Sequence, residues 1–338
     1  MREETRARSR YALVVMLSVA LALFMAACGE EKEEESSGGG GGGSASGGKD
    51  CGKVVINEQA WAGSTANTYI AKAVLEDELG CEIEITKVVE APVYQAIADG
   101  KVDAVLEDWD HPKEHKKYID QEGTVLDGGP LGVKGHIGWF IPKYLMDEHP
   151  EFKTWEGLKG QEELFKTPES GDQGMFLGGD PSYVQKDKEL IEVLGLNFKH
   201  VTAGAEPAQI ARWTQLYKQK KPVIFYWYTP QYLNQEYDLA EVKLPPLEDN
   251  PGCKENADAG GDPEQYKCEY KVEILNKLFN PEFAKSGSPA YGVLKKMRLT
   301  NADQEQVAGA IADEKQDPEE AAQEWIDQNR DKVDSWLK

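Results

Sequence analysis

Lys221-Pro222-Val223-Ile224-Phe225-Tyr226-Trp227-Tyr228-Thr229-Pro230 runs two β-branched residues into four consecutive aromatics and closes on Thr-Pro. β-Branched and aromatic side chains fit a pleated, half-buried surface, so the stretch reads as a buried strand. Side chains alternate along a strand, which puts Tyr226 and Tyr228 on one face and Phe225 and Trp227 on the other. A strand needs apolar residues but not four large rings in a row. Residues 102–112, Val-Asp-Ala-Val-Leu-Glu-Asp-Trp-Asp-His-Pro, repeat the arrangement: a strand ending in an aromatic, Trp109, and closed by Pro. Ligands of open α/β sheets sit beyond the carboxyl ends of the strands. Rings meeting there on a strongly acidic chain imply a site for an organic cation held by cation–π contacts. The plainer alternative is that the rings are core.

The chain has 338 residues, room for one large or two medium domains. Its net charge is −22, and the first 27 residues, with four Arg and two Glu, run against that balance. Phosphate binding needs dense Lys and Arg, so nucleic acid is excluded as a partner. The acidic surface suits solubility and a weak attraction of cations.

The N-terminus reads as an address. Arg2, Arg6, Arg8 and Arg10 precede an apolar run, residues 11–27, that is too short for a secure transmembrane helix. It ends Met25-Ala26-Ala27-Cys28, similar to a bacterial lipobox in which Cys28 is lipidated; ordinary secretion with cleavage nearby is the alternative. Residues 1–27 are therefore assigned to a lipoprotein signal peptide. Residues 28–49, a charged run followed by Gly and Ser, form a tether that cannot bury a core.

Without Cys28, four cysteines remain, allowing three connectivities. Cys51 and Cys81 each precede an expected strand. If those strands are parallel neighbours, their starting ends lie together and a bridge is feasible. Cys253 and Cys268 bracket a polar loop that a bridge would staple. The expectation is Cys51–Cys81 and Cys253–Cys268. Free thiols or metal ligation are the alternatives, although no Cys-x-x-Cys is present.

From residue 54 the order is β-α-β-α-β with short links, which predicts a parallel sheet and right-handed crossovers. Trp61 and Trp109 both follow strand ends and can face one crevice. Residues 135–142, Gly-His-Ile-Gly-Trp-Phe-Ile-Pro, form a strand crossing into a second lobe, its glycines marking a close approach to the backbone or a bend. The turn from Gly178 to Tyr183 is expected to open a helix, either offering free N–H groups, with Gly179, to a carboxylate or serving as a simple turn and N-cap. Residues 272–278, 291–297, 302–312 and 318–337 are expected to be helical. The division is residues 50–132 in the first lobe, 133–249 in the second, and 250–338 returning to the first.

With these segments in view, the chain resembles the substrate-binding proteins of ABC importers for glycine betaine, proline betaine and choline. Ala60-Trp61, residues 103–112, residues 138–144 ending Ile-Pro-Lys-Tyr, and residues 221–230 carry the likeness. The resemblance implies an α/β, two-lobe, periplasmic-binding-protein-like (type II) fold that closes on a ligand in the cleft between lobes. It implies a receptor rather than an enzyme, with no cofactor, an ABC permease as partner and osmoprotectant uptake as the role. Family members cage a quaternary ammonium with aromatic rings and hold a betaine carboxylate with backbone amides and polar side chains. Carried over by position, the cage is Trp61, Trp109, Trp139 and Tyr228, with Tyr183 as a further member. Trp227 stays in the candidate set behind Tyr228, which stands where members often have Trp. Choline-binding members tend to carry an Asp two residues after the first Trp; Gly63 stands there, which favours a betaine, while Asp108 and Asp110 keep choline open.

Two rivals exist. His111 and His115 lie four apart and suggest a metal-binding lipoprotein, although Pro112 between them disfavours one continuous helix. A secreted hydrolase lacks support: Gly-x-Ser-x-Gly and His-Glu-x-x-His are absent.

Overall fold

The computed structural model describes residues 51–254 and 261–338. The expected signal peptide, lipidation at Cys28 and tether lie outside the described residues. Strand β1 (Lys53–Asn57) pairs in parallel with β2 (Glu82–Thr86) and β3 (Ala104–Asp108). Helix α1 (Ala62–Leu79) joins the first two and α2 (Glu90–Ala98) the next two. α1 buries Ile70, Ala71, Val74 and Leu75, four residues on one helical stripe. Each large aliphatic side chain there contributes about 1.5–3 kcal/mol of burial free energy. Gly80, at φ 66°, ends the helix in a left-handed turn that a side chain would strain.

β4 (Leu126–Pro142) is the long strand of the molecule, and it changes partner midway. It pairs with β9 (Glu273–Phe279) as far as Gly135 and with β7 (Ile224–Thr229) from His136 onward. β8 (Leu239–Val242) lies against its last residues. β5 (Gly174–Gly178) runs parallel to β7 and to β6 (Phe198–Thr202). The hydrogen-bonded order is β2-β1-β3-β9-β4-β7-β5-β6, so β4 is shared by a β1–β3 section and a β5–β8 section. The carboxyl ends of β1, β3, β5 and β7 feed the loops that meet between them.

Three helix expectations are corrected. Of the span 272–278, residues 273–278 belong to strand β9, antiparallel to both β3 and β4. The apolar residues there fit either period, and the slot between two open strand edges decides, because backbone groups buried there need ladder partners. The helix expected from the Gly178–Tyr183 turn starts at Asp187 instead, leaving a loop over residues 179–186. The last helix is two helices, Pro318–Gln328 and Arg330–Leu337, broken at Asn329 (φ −123°, ψ 30°). The first packs on α1 and on the Asn301–Ala312 helix, the second on the Pro289–Lys296 helix and on the first.

Both expected disulfides are present. Cys51–Cys81 ties the starts of β1 and β2, where Lys53 and Glu82 are register partners. Cys253–Cys268 closes the second loop. Lys186 is buried against it, its Nζ 2.9 Å from Cys268 Sγ and 3.1 Å from the carbonyl oxygens of Lys254 and Glu269. A second buried lysine, Lys277 on β9, donates to the carbonyls of Leu294, Lys295 and Met297 at 2.8–3.0 Å, at the end of the Pro289–Lys296 helix. Carbonyls at a helix end have no partner within the helix, and a buried ammonium supplies one.

Candidate functional site

Trp61, Glu90, Trp109, Ile137, Tyr183, Val184, Tyr226 and Tyr228 line one small pocket. Trp61 follows β1, Trp109 follows β3, Tyr183 stands in the loop after β5, and Tyr226 and Tyr228 lie near the end of β7. Trp61, Glu90 and Trp109 therefore come from the β1–β3 side. The other five come from β4, β5 and β7 or the loops after them.

The rings meet edge to face. Trp61 and Tyr183 have centroids 5.6 Å apart at 90°, and Trp109 and Tyr228 have centroids 5.6 Å apart at 82°. Such contacts place the positive edge of one ring on the negative face of the next. The Trp109 ring comes so close to β4 that a Cβ at Gly135 would lie 2.6 Å from it. Only a glycine admits the indole at that approach. Gly179 borders the same rings, since a Cβ there would meet Tyr183 at 3.0 Å and Tyr226 at 3.3 Å.

Buried carboxylates stand behind the rings. Glu107 Oε1 accepts the indole N–H of Trp61 at 2.7 Å and that of Trp109 at 2.9 Å. Its Oε2 accepts the side-chain amides of Asn67 at 2.7 Å and Gln304 at 2.6 Å. Burial pushes the Glu107 carboxyl up to about 7, against the hydrogen bonds from Trp109 and Trp61 that hold it down. Tyr228 donates its hydroxyl to the Glu206 carboxylate, which also accepts from the Ala62 N–H at 2.9 Å. The Tyr183 hydroxyl accepts from the Glu206 N–H at 3.2 Å and reaches the Ala60 carbonyl at 3.3 Å. Contacts of Ala60 and Ala62 with Tyr183 and Glu206 thus cross between the two sections of the molecule.

Two expected cage residues are not brought to the pocket. Trp139 pairs with Tyr226 across β4 and β7 and so faces the same side, but one step deeper. Its indole donates to Asp187 at 2.7 Å and packs on Phe176 with centroids 4.7 Å apart. Ile137, two residues earlier and opposite Tyr228, takes the lining position. Trp227 points to the opposite face with Phe225 and Trp213, its indole bonded to Asn234 at 2.7 Å. Sequence reasoning missed Tyr226, Glu90, Ile137 and Val184. Tyr226 was within reach, because it alternates in phase with Tyr228. Glu90 opens α2, and nothing local to it points at an aromatic pocket.

Glu90 brings a charge to the wall. It is buried, and burial raises its carboxyl above the ordinary range while His111, 3.3 Å away, pulls it down. Burial would lower His111, but Glu90, Asp108 and Glu114 raise it to about 9. The folded state thus keeps a proton on His111 that the unfolded chain releases near pH 6.5. Stability from this pair is whole below pH 6.5 and is lost as pH rises through 9. Chemical denaturation at pH 6, 7.5 and 9 is expected to show a falling midpoint, with a flatter series in His111→Gln. Equal slopes in both proteins would remove His111 as the source.

The two histidines do not form a metal site. His111 Nε2 lies 3.3 Å from Glu90 as an ion pair, and His115 Nε2 lies 2.7 Å from Asp108. Among the described residues no group of three or more His, Cys, Asp or Glu side chains is placed to hold a metal ion.

Two sheet sections sharing a strand, with a ring-lined pocket between their strand ends, match the two-lobe, periplasmic-binding-protein-like class of fold. Residues 52–328 match the substrate binding domain of the ABC-type glycine betaine transport system, and the chain belongs to that family, one of transport receptors and not of enzymes. It is 26% identical over 291 residues to the trimethylamine N-oxide-binding protein of Pelagibacter ubique (strain HTCC1062), covering 82% of this chain and 88% of that one. Among solved structures, lactococcal OpuAC in its closed form with glycine betaine is 22% identical, at TM-score 0.65 over 85% of this chain and 99% of that one. The glycine betaine/L-proline-binding protein ProX of Borrelia burgdorferi is 19% identical, at TM-score 0.66 over 85% and 97%. At those identities the likeness is one of fold.

Proposed function

We propose that this protein is an extracytoplasmic receptor that encloses the methylated ammonium head of a small solute and hands it to an ABC permease for uptake. The observation that carries the reading is the convergence of Trp61, Trp109, Tyr183, Tyr226 and Tyr228 on one pocket with Glu90 in its wall. A quaternary ammonium has no N–H to donate, so diffuse negative potential must hold it, and ring faces provide that at about 0.5–2 kcal/mol per contact. Because the rings come from both sides of the cleft, a ligand that touches all of them favours the closed form. Glycine betaine, proline betaine and choline are the first ligands to test. Trimethylamine N-oxide joins them because a curated relative is named for binding it. Neither Lys nor Arg lines the pocket, so a betaine would seat its carboxylate on the Gly179 side, away from Glu90.

The basic leader and Met25-Ala26-Ala27-Cys28 support anchoring of the receptor to the membrane by lipid on Cys28, with residues 28–49 as its tether. Cys28→Ala is then expected to move the protein from the membrane fraction to the soluble one.

Isothermal titration with glycine betaine, proline betaine, choline, carnitine, trimethylamine N-oxide and tetramethylammonium tests the reading. Saturable binding of at least one of these, with a change in tryptophan emission, is expected. No saturable binding of any of the six overturns it.

A further inference from the structure

We propose that Glu107, which does not line the pocket, is the charge that makes the cage selective for cations. The inference rests on the methylammonium reading above. Its ground is a single buried carboxylate that takes both cage indoles on one oxygen and two amides on the other.

The four donors come from four places: the loop after β1, helix α1, the residue after β3, and the Asn301–Ala312 helix. Gly63 leaves the space that Gln304 uses to reach in, since a Cβ there would lie 2.8 Å from Gln304 Nε2. Four N–H donors fill the acceptor positions of an ionised carboxylate and leave no acceptor for a carboxyl proton. The site is thus built for the charged form of Glu107, in a buried position where charge is costly unless hydrogen-bonded.

That placement has two effects on a ligand. The shared Oε1 fixes the angle between the Trp61 and Trp109 planes before any ligand arrives. The anion also sits directly behind both indoles and polarises each toward its face, so the walls are more negative than neutral rings alone. Glu206 stands likewise behind Tyr228. A ligand cation meets ring faces and never touches Glu107, yet feels its charge at roughly one ring's distance. At an effective dielectric near 20, a unit charge about 7 Å away changes binding of a cation by on the order of tenfold or more. It leaves an uncharged ligand of the same shape nearly unaffected.

The test compares each cation with its carbon isostere, in which a quaternary carbon replaces the ammonium nitrogen. Choline is paired with 3,3-dimethylbutan-1-ol, and glycine betaine with 3,3-dimethylbutanoate. Affinities are measured for the wild type and for Glu107→Gln, which keeps the shape and removes the charge. The expected result is a wild-type preference for the cation that shrinks about tenfold or more in Glu107→Gln. Equal losses for cation and isostere, which misplaced rings alone would produce, overturn the proposal. A wild type that binds neither cation, or does not prefer it to its isostere, instead sinks the methylammonium reading beneath it. Should Glu107→Gln fail to fold, the wild type still decides. The indole N–H protons of Trp61 and Trp109 are then expected downfield of a free indole and to move together as pH is lowered. Resonances at the free-indole position overturn the assignment.

Discussion

Trp109→Ala is expected to raise the dissociation constant of the methylated ammonium ligand about a hundredfold or more and to remove most of its fluorescence response. The indole is one of five rings around a small pocket, lies against the backbone at Gly135, and packs edge to face on Tyr228. Removing it deletes one wall of the pocket and takes away the edge-to-face partner of Tyr228. It also removes one of the four donors to Glu107. Trp227→Phe is the matched control. That ring lies on the other face of β7, in a cluster with Trp213 and Phe225, and its loss is expected to change the affinity less than about threefold. An unchanged dissociation constant in Trp109→Ala would take Trp109 out of the cage. A large loss in Trp227→Phe would show that the two faces of β7 are energetically coupled, against the geometry.

Lys277→Met is expected to lower unfolding stability by about 2–3 kcal/mol with ligand affinity retained once folded. Lys277 is wholly buried on β9 and donates to the carbonyls of Leu294, Lys295 and Met297. Arg298 also donates to the Lys295 and Met297 carbonyls, so the Leu294 carbonyl loses most. Burial, with Arg298 and Lys295 nearby, pulls the Lys277 amine down to about 7. Methionine of similar length removes that desolvation cost but leaves the helix-end carbonyls with fewer donors. Denaturant unfolding of the two proteins measures the balance. A variant as stable as the wild type would mean that the ammonium's desolvation already offsets its hydrogen bonds.

Much of the site was legible because it obeys short-range rules. Alternation along a strand separates Tyr226 and Tyr228 from Phe225 and Trp227 whatever surrounds them. A residue following a parallel strand must stand at the carboxyl edge of the sheet, which places Trp61 and Trp109. The glycines of residues 135–142 announced a close approach, and the Trp109 ring is what approaches Gly135. The Cys51–Cys81 bridge follows once β1 and β2 are parallel neighbours.

What escaped the reading depends on distant partners. Trp139 lies on the same face as the cage, but its depth is set by where β4 exchanges β9 for β7 and by Asp187 waiting for its N–H. β9 is a strand because β3 and β4 leave a slot whose edges need hydrogen bonds. Glu90, Glu107 and Glu206 look alike among sixty acidic residues. The sequence alone determined which rings stand at strand ends and which faces they share, since alternation and chain connectivity are local. Only the tertiary structure decided which carboxylates lie behind those rings, because burial and hydrogen bonding between remote segments are properties of the packed molecule.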